Sequence, residues 1–272
     1  MLATSRRALL RCTCAAGTRT FATTTTEAPR HLLTLADLTV PEIESLLTSA
    51  ISYKRQFRGR QPHVSNSDGR LLDRKTIALM FSKRSTRTRV ASESAVQLLG
   101  GHPMFLGSSD IQLGVNESLY DTAKVVSSMV DGIMARVGHH DEVGTLAQES
   151  TVPVINALSH LYHPTQILAD LQTLLEHKQQ NKLASLKGMT ISWVGDSNNI
   201  LNEMIVTFLR MGINLNIATP KGYDLDPSIV ETAKKGVHEE ATSDAGKLHH
   251  TTDPLEAVKN ADVIVTDTWY VT

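Results

Sequence analysis

Thr76-Ile77-Ala78-Leu79-Met80-Phe81-Ser82-Lys83-Arg84-Ser85-Thr86-Arg87-Thr88-Arg89 decides how this chain is read. Its first six residues form an apolar run, the pattern of a strand covered on both faces. The next eight carry four cations and four hydroxyls, and a helical pattern runs from Thr86 to Leu99, just before Gly100-Gly101. A strand that hands over to a helix at such a segment is a natural anion site. Backbone N–H groups and the positive helix end attract negative charge, and hydroxyls and guanidinium groups add donors. A solvated basic face is the plainer reading of a charge run. The interspersed hydroxyls, the strand before them and the lack of overall basicity favour the anion site. The G-x-x-x-x-G-K-[ST] pattern is missing, so this is not an ordinary nucleotide loop.

Outward from this stretch, apolar runs alternate with helical patterns. A helix starts at Thr39-Val40-Pro41-Glu42, which offers an N-cap, an early proline and a capping-box glutamate. Residues 59–74 read as a polar loop. Strand Thr76–Phe81 and helix Thr86–Leu99 are followed by strand Met104–Leu106, helix Glu117–Val130, strand Gly132–Val137, helix Asp141–Glu149 and strand Val152–Asn156. A long helix spans Pro164 to Lys178. Then come strand Thr190–Val194, helix Asn199–Met211, strand Asn214–Ala218, helix Ser228–Lys235, a short helix Pro254–Asn260 and strand Asp262–Thr266. Such alternation predicts parallel α/β sheets, with a domain boundary near His163–Thr165.

The length of 272 residues accommodates two domains. A hydrophobic content of 41% with 20% charged residues fits a globular protein, and no apolar run is long enough to span a membrane. The net charge of −1 argues against a nucleic-acid binder. Residues 1–26 contain Arg6, Arg7, Arg11 and Arg19, many Ser, Thr and Ala, and no acid. That composition predicts a mitochondrial transit peptide and a matrix location. Both cysteines, Cys12 and Cys14, fall inside it, so the body has no disulfide framework, thiolate metal site or cysteine nucleophile.

Three further places could carry chemistry. Arg136 ends strand Gly132–Val137, where the ligand crevice of an open α/β sheet lies; an ordinary salt bridge is the alternative. Leu161-Tyr162-His163-Pro164-Thr165-Gln166 puts His163 and Gln166 at the start of the long helix, and Pro164 biases His163 to an extended conformation that helps aim its ring. A lone histidine is as readily structural. His139-His140 and His249-His250 lack partners for a metal site. Gly195-Asp196-Ser197-Asn198-Asn199 joins a strand to a helix without the full G-x-G-x-x-G pattern. A turn with an N-cap accounts for it better than a dinucleotide site, and its amides could also grasp a small amino acid. Asp267 and Trp269 follow the last strand.

The segments FSKRSTRTRVASESAVQLLGGHP, LGVNESLYDTAKVVSSMVDGIMARV, LYHPTQILADLQTLLEH, SWVGDSNNI and DVIVTDTW together resemble the ornithine carbamoyltransferase family of mitochondrial type, over nearly all of residues 31–269. The first segment marks carbamoyltransferases generally; the second and the asparagine pair point to the ornithine branch. The resemblance implies two parallel-sheet α/β domains, a carbamoyl phosphate-binding domain at 31–163 and an ornithine-binding domain at 164–272. It implies that Ser85, Thr86, Arg87 and Thr88 hold the phosphate, and that Arg136, His163 and Gln166 meet the carbamoyl end, with Arg136 and His163 catalytic. Gln112 would reach into a neighbouring subunit's site, and Asn199 and Asp267 would bind ornithine. It further implies a homotrimer that needs no metal and no organic cofactor.

One departure is large. The family continues past Trp269 into a Ser-Met-Gly loop, a His-Cys-Leu-Pro motif and a final helix that returns to the first domain. This sequence has Val271 and Thr272 where the Ser-Met pair would stand. The expectation is a C-terminally truncated chain with an incomplete second domain, an exposed edge strand at Asp262–Thr266 and poor folding or turnover alone. An unspliced intron would produce this tail. Two other readings follow: a non-catalytic product that keeps carbamoyl phosphate binding, and a carbamoyltransferase for another amine.

Overall fold

The structure, a computed structural model, describes residues 28–58, 70–108, 117–240 and 244–267. The predicted alternation resolves into two sheets, each of four parallel strands. After helix α1 (Val40–Arg58), the first sheet takes β1 (Thr76–Phe81), β2 (His102–Gly107), β3 (Gly132–Arg136) and β4 (Val154–Leu158) in the order β2-β1-β3-β4. Helices α2 (Thr86–Leu98), α3 (Leu119–Ser127) and α4 (His140–Glu149) make its crossovers. The long helix α5 (Pro164–His177) leads on to the second sheet. There β5 (Thr190–Val194), β6 (Asn214–Ala218), β7 (Leu248–Thr251) and β8 (Val263–Val265) lie in the order β7-β6-β5-β8, with α6 (Asn199–Phe208), α7 (Pro227–Glu239) and the single turn α8 (Pro254–Ala257) between them.

Local chemistry explains the main boundaries. In β1, Ala78, Leu79 and Met80 are fully buried, as a strand covered on both faces must be. Helix α1 starts with the expected reciprocal cap: Thr39 N–H donates to Glu42 Oε2 at 2.9 Å, and Glu42 N–H donates to Thr39 Oγ1 at 3.4 Å. Pro164 occupies the first turn of α5, where its missing N–H costs nothing. Ile167, Leu171 and Leu175 then recur every fourth residue on one face, all fully buried. That face packs in one apolar cluster with Ile43 and Leu47 of α1 and Trp193 of β5. Each such leucine contributes about 1.5–3 kcal/mol by burial.

Several expectations were adjusted by the fold. β7 was not anticipated, because Leu248-His249-His250-Thr251 is a polar strand that pairs only with β6. β4 lies two residues later than expected, α3 is shorter, α7 runs on to Glu239, and α8 stops at Ala257. Among the described strands β8 stands at one edge of its sheet, with Ile264 59% exposed.

A strap before α1 joins the two halves. Leu32 pairs with β4, its N–H donating to Val154 O at 2.9 Å and its carbonyl accepting from Asn156 N–H at 2.8 Å. Three residues on, the 3-10 turn Leu35–Asp37 rests on α6. In each sheet the chain reverses direction once beside its first strand, between β1 and β3 in one and between β5 and β8 in the other. The crevice outside the carboxyl ends of strands at such a point is where open α/β sheets bind ligands. The basic, hydroxyl-rich segment leaves β1 there, and Gly195–Asn199 leaves β5.

Candidate active site

The first switch point gathers most of the predicted anion-site residues. Ser85 is the N-cap of α2, and its Oγ accepts from Thr88 N–H at 3.3 Å and donates to Thr88 Oγ1 at 2.9 Å. Thr86 opens the helix. Arg136 lies directly across β1 from Phe81, and its carbonyl accepts from Ser82 N–H at 3.0 Å. A register shift between Ala135 and Arg136 interrupts the pairing of β3 with β4 at this residue. Such irregularities re-aim a side chain next to a site. The Arg136 guanidinium reaches Thr88 Oγ1 at 3.4 Å.

The four cations of the segment separate into different jobs. Arg89 is committed to Glu93 at 2.9 Å and stacks over the Phe105 ring at 3.5 Å from its centroid. Lys83 and Arg84 are exposed. Arg87 and Thr88 line the mouth of a cavity of about 660 Å³, together with His163 and Gln166. Its inner wall, with Ile77, Ala95, Val96, Leu99 and Ile133, is apolar. Among the described residues neither Arg87 nor Arg136 has a carboxylate partner, and the buried Nε of Arg136 has no hydrogen-bond partner. Burial and the neighbouring Arg87 charge both lower the Arg136 pKa. Arg136 is half-buried and Arg87 exposed, so two like charges meet at the carboxyl end of the strands, an arrangement that a bound anion relieves.

His163 sits between the two halves. It caps α5 in a non-helical conformation, φ −142° and ψ 69°, and its Nδ1 lies 3.3 Å from Thr165 Oγ1. Burial first, then the Arg136 charge, pull its pKa down to about 4, against an opposing pull from Asp267. The ring is therefore neutral at pH 7 and keeps one N–H to donate. Gln166, one turn on, donates from Nε2 to Asp170 Oδ1 at 2.9 Å. That bond uses the amide nitrogen and leaves the carbonyl oxygen as the acceptor end of the side chain. Asp170 was not singled out from sequence, although its position four residues after Gln166 on a helix is a usable signal.

The second switch point is more fully paired. Asn198 caps α6, its Oδ1 accepting from Ile200 and Leu201 N–H at 3.0 and 3.2 Å. Its Nδ2 donates to Asp267 Oδ2 at 3.1 Å. Asn199 turns back toward the first half and donates to Ser159 O at 2.6 Å. Asn199 and Asp267 are thus on the same crevice but not in contact with the Arg87–Arg136 pair. Gln112, residues 1–26 (expected to be a transit peptide) and Trp269 lie outside the described residues.

Comparison with known proteins bears on the family and the fold. Residues 30–176 match the family model "Aspartate/ornithine carbamoyltransferase, carbamoyl-P binding domain", and residues 187–272 match "Aspartate/ornithine carbamoyltransferase, Asp/Orn binding domain". The mitochondrial ornithine carbamoyltransferase of Aspergillus terreus is 54% identical over 250 residues, covering 89% of this chain and 67% of that protein. That of Aspergillus niger is 52% identical over 247 residues, covering 89% of this chain and 66% of that one. The chain therefore spans about two thirds of the length of these relatives. The crystal structure of the mitochondrial ornithine carbamoyltransferase from Coccidioides immitis superposes with a TM-score of 0.83 at 49% identity, over 90% of this chain and 76% of that one. The two parallel-sheet domains and both family matches lead to one conclusion: this chain belongs to the aspartate/ornithine carbamoyltransferase family.

Proposed function

We propose that the protein transfers the carbamoyl group of carbamoyl phosphate to the δ-amine of L-ornithine, giving L-citrulline and phosphate. The observation that carries this reading is the pair Arg87, in the first turn of α2, and Arg136, which reaches Thr88; neither has a carboxylate partner among the described residues, and burial and the Arg136 charge keep His163 neutral. The ornithine branch, rather than another amine, is supported by the relatives, which bear that name at 52–54% identity.

In this reading Ser85, Thr86, Arg87 and Thr88 hold the phosphate, which becomes the leaving group. The carbonyl oxygen of Gln166 accepts from the carbamoyl NH2, and Arg136 and His163 donate to the carbamoyl oxygen. Ornithine sits across the crevice, near Asn199 and Asp267. Its neutral δ-amine attacks the carbamoyl carbon, and the new C–N bond pushes the carbonyl electrons onto oxygen. That oxyanion collapses, the C–O bond to phosphate breaks, and the amine proton leaves with the released phosphate. Donors fixed in advance around the developing oxyanion contribute most of the acceleration. Holding both substrates in line contributes the rest.

The names of the relatives also support a mitochondrial protein, and the Arg-rich, acid-free residues 1–26 support import into the matrix. We assign Gln112 to a neighbouring subunit's site in a homotrimer, which sedimentation of the purified protein checks. The test of the activity is direct. The full chain is incubated with carbamoyl phosphate and either ornithine or putrescine, and the ureido product is measured. Citrulline formation is expected, and it would overturn the poor turnover anticipated from the end of the sequence. Saturable carbamoyl phosphate binding without any product would replace this reading with a non-catalytic binding protein, and preference for putrescine would move it to another amine.

A further inference from the structure

Helix α6 grips the segment that presents His163. Asn199, Asn202 and Glu203 stand at i, i+3 and i+4, so they share one helix face. Asn199 Nδ2 donates to Ser159 O at 2.6 Å, and Asn202 Nδ2 donates to Leu161 O at 3.2 Å. Glu203 is fully buried. Its Oε1 accepts from Thr34 Oγ1 at 2.7 Å and from Leu35 N–H at 2.6 Å. Its Oε2 makes no hydrogen bond of normal geometry, but the His163 backbone N–H is close enough to stabilise the carboxylate. Three consecutive contacts of one helix thus follow the backbone from Ser159 to His163, and the same carboxylate holds the interdomain strap.

This is an unusual place for an acid. A buried carboxylate costs several kcal/mol unless its oxygens are satisfied, and a helix face against a neighbouring loop is served as well by apolar residues. What an acceptor there does, and an apolar residue does not, is fix the His163 amide and with it the non-helical turn that aims the ring. His163 has no side-chain cap of its own at α5. Its orientation therefore depends on what holds its backbone.

We propose that Asn202 and Glu203, acting with Asn199, are positioning residues that set the orientation of the His163 ring from the second domain. The inference deepens the carbamoyl-transfer reading and rests on it for its kinetic consequence. Its structural content stands apart from that reading. The charges of Arg136, in the first sheet, and Asp267, after the second, act on His163 in opposite directions.

The test uses the full chain with Glu203→Gln and, separately, Asn202→Leu. Glutamine keeps the shape and one acceptor for Thr34 and Leu35, and turns a donor toward the His163 N–H. Leucine keeps the bulk of Asn202 and removes its donor. The histidine ring 1H–13C spectrum is recorded for each, with the His163 signal assigned by its disappearance in His163→Gln. We expect the His163 signal to move in both variants while the signals of His238, His249 and His250 stay in place. Where the wild type makes citrulline, kcat falls about ten- to hundredfold, the range for a displaced catalytic group, with KM for carbamoyl phosphate nearly unchanged. An unmoved His163 signal in a folded variant overturns the proposal. So does a loss that falls on KM alone. A wild type that makes no citrulline, with a His163 signal that moves in the variants, overturns the transfer reading and leaves the positioning role standing.

Discussion

The two sheets present the same topological crevice in opposite states. At the carboxyl end of the first, Arg87 and Arg136 carry charge that no described carboxylate answers, and the Arg136 Nε is buried without a partner. At the carboxyl end of the second, Asn198 is spent on the α6 cap and Asp267, and Asn199 on Ser159 O. The first edge is built around a missing negative charge. The second is held closed by its own hydrogen bonds, which an incoming amino acid must exchange for others. In the proposed reading the first sheet supplies an anion site, while the second supplies groups that also fasten the two halves together.

Four variants test that contrast. The largest effect is expected from His163→Ala, which removes a donor to the oxyanion and lowers the transfer rate by about 10²–10³. Calorimetry should find carbamoyl phosphate binding largely kept. An equal loss of binding would place His163 in the anion site proper and blur the division between the edges.

Glu203→Gln should change the pH dependence of stability. Burial raises the Glu203 pKa from 4.5 to about 7. The folded state therefore holds a proton that the unfolded state has released between those values. That contribution to stability is present below about pH 4.5 and is lost as pH rises through about 7. Denaturant melts at pH 5 and pH 8 should show the wild type weakening relative to Glu203→Gln at the higher pH. The same difference at both values would remove the buried charge from the account.

Asn198→Ala takes away the α6 cap and the link to Asp267. It should cost about 0.5–2 kcal/mol in a urea melt, as a lost N-cap does. A cost near zero would mean that the second edge is not fastened by these bonds. The smallest effect is expected from Arg89→Ala. Its ion pair with Glu93 is largely exposed and its stacking on Phe105 is a surface contact, together worth about 1 kcal/mol or less. Carbamoyl phosphate affinity should barely change, whereas a large loss would return Arg89 to the anion site.

The parts of this fold that were legible are those where burial follows the period of the element. Thr190–Val194 and Asn214–Ala218 have the predicted bounds because their apolar residues lie at the centre of a sheet. Leu248–Thr251 escaped because an edge strand needs no apolar alternation. The anion segment was legible as a group, but its cations were not separable by sequence. The i, i+4 spacing marks Arg89 for Glu93, but nothing in the local pattern shows that Arg89 would also stack on Phe105 while Arg87 lines the cavity. Glu203 reads as an ordinary acid on a helix surface, yet it is fully buried. Its role depends on Thr34 and Leu35, some 170 residues away in the chain, a pairing that no local pattern encodes.

The central claim is that the first edge is an anion site formed before the second substrate arrives. Titration calorimetry of carbamoyl phosphate into the full chain without ornithine tests it most directly, in the wild type and in Arg87→Ala. Saturable binding is expected in the wild type, with a loss of about 1.5–3 kcal/mol, roughly ten- to hundredfold, on removing the Arg87 guanidinium. Equal affinity in a folded Arg87→Ala, or no binding by the folded wild type until ornithine is added, would contradict it.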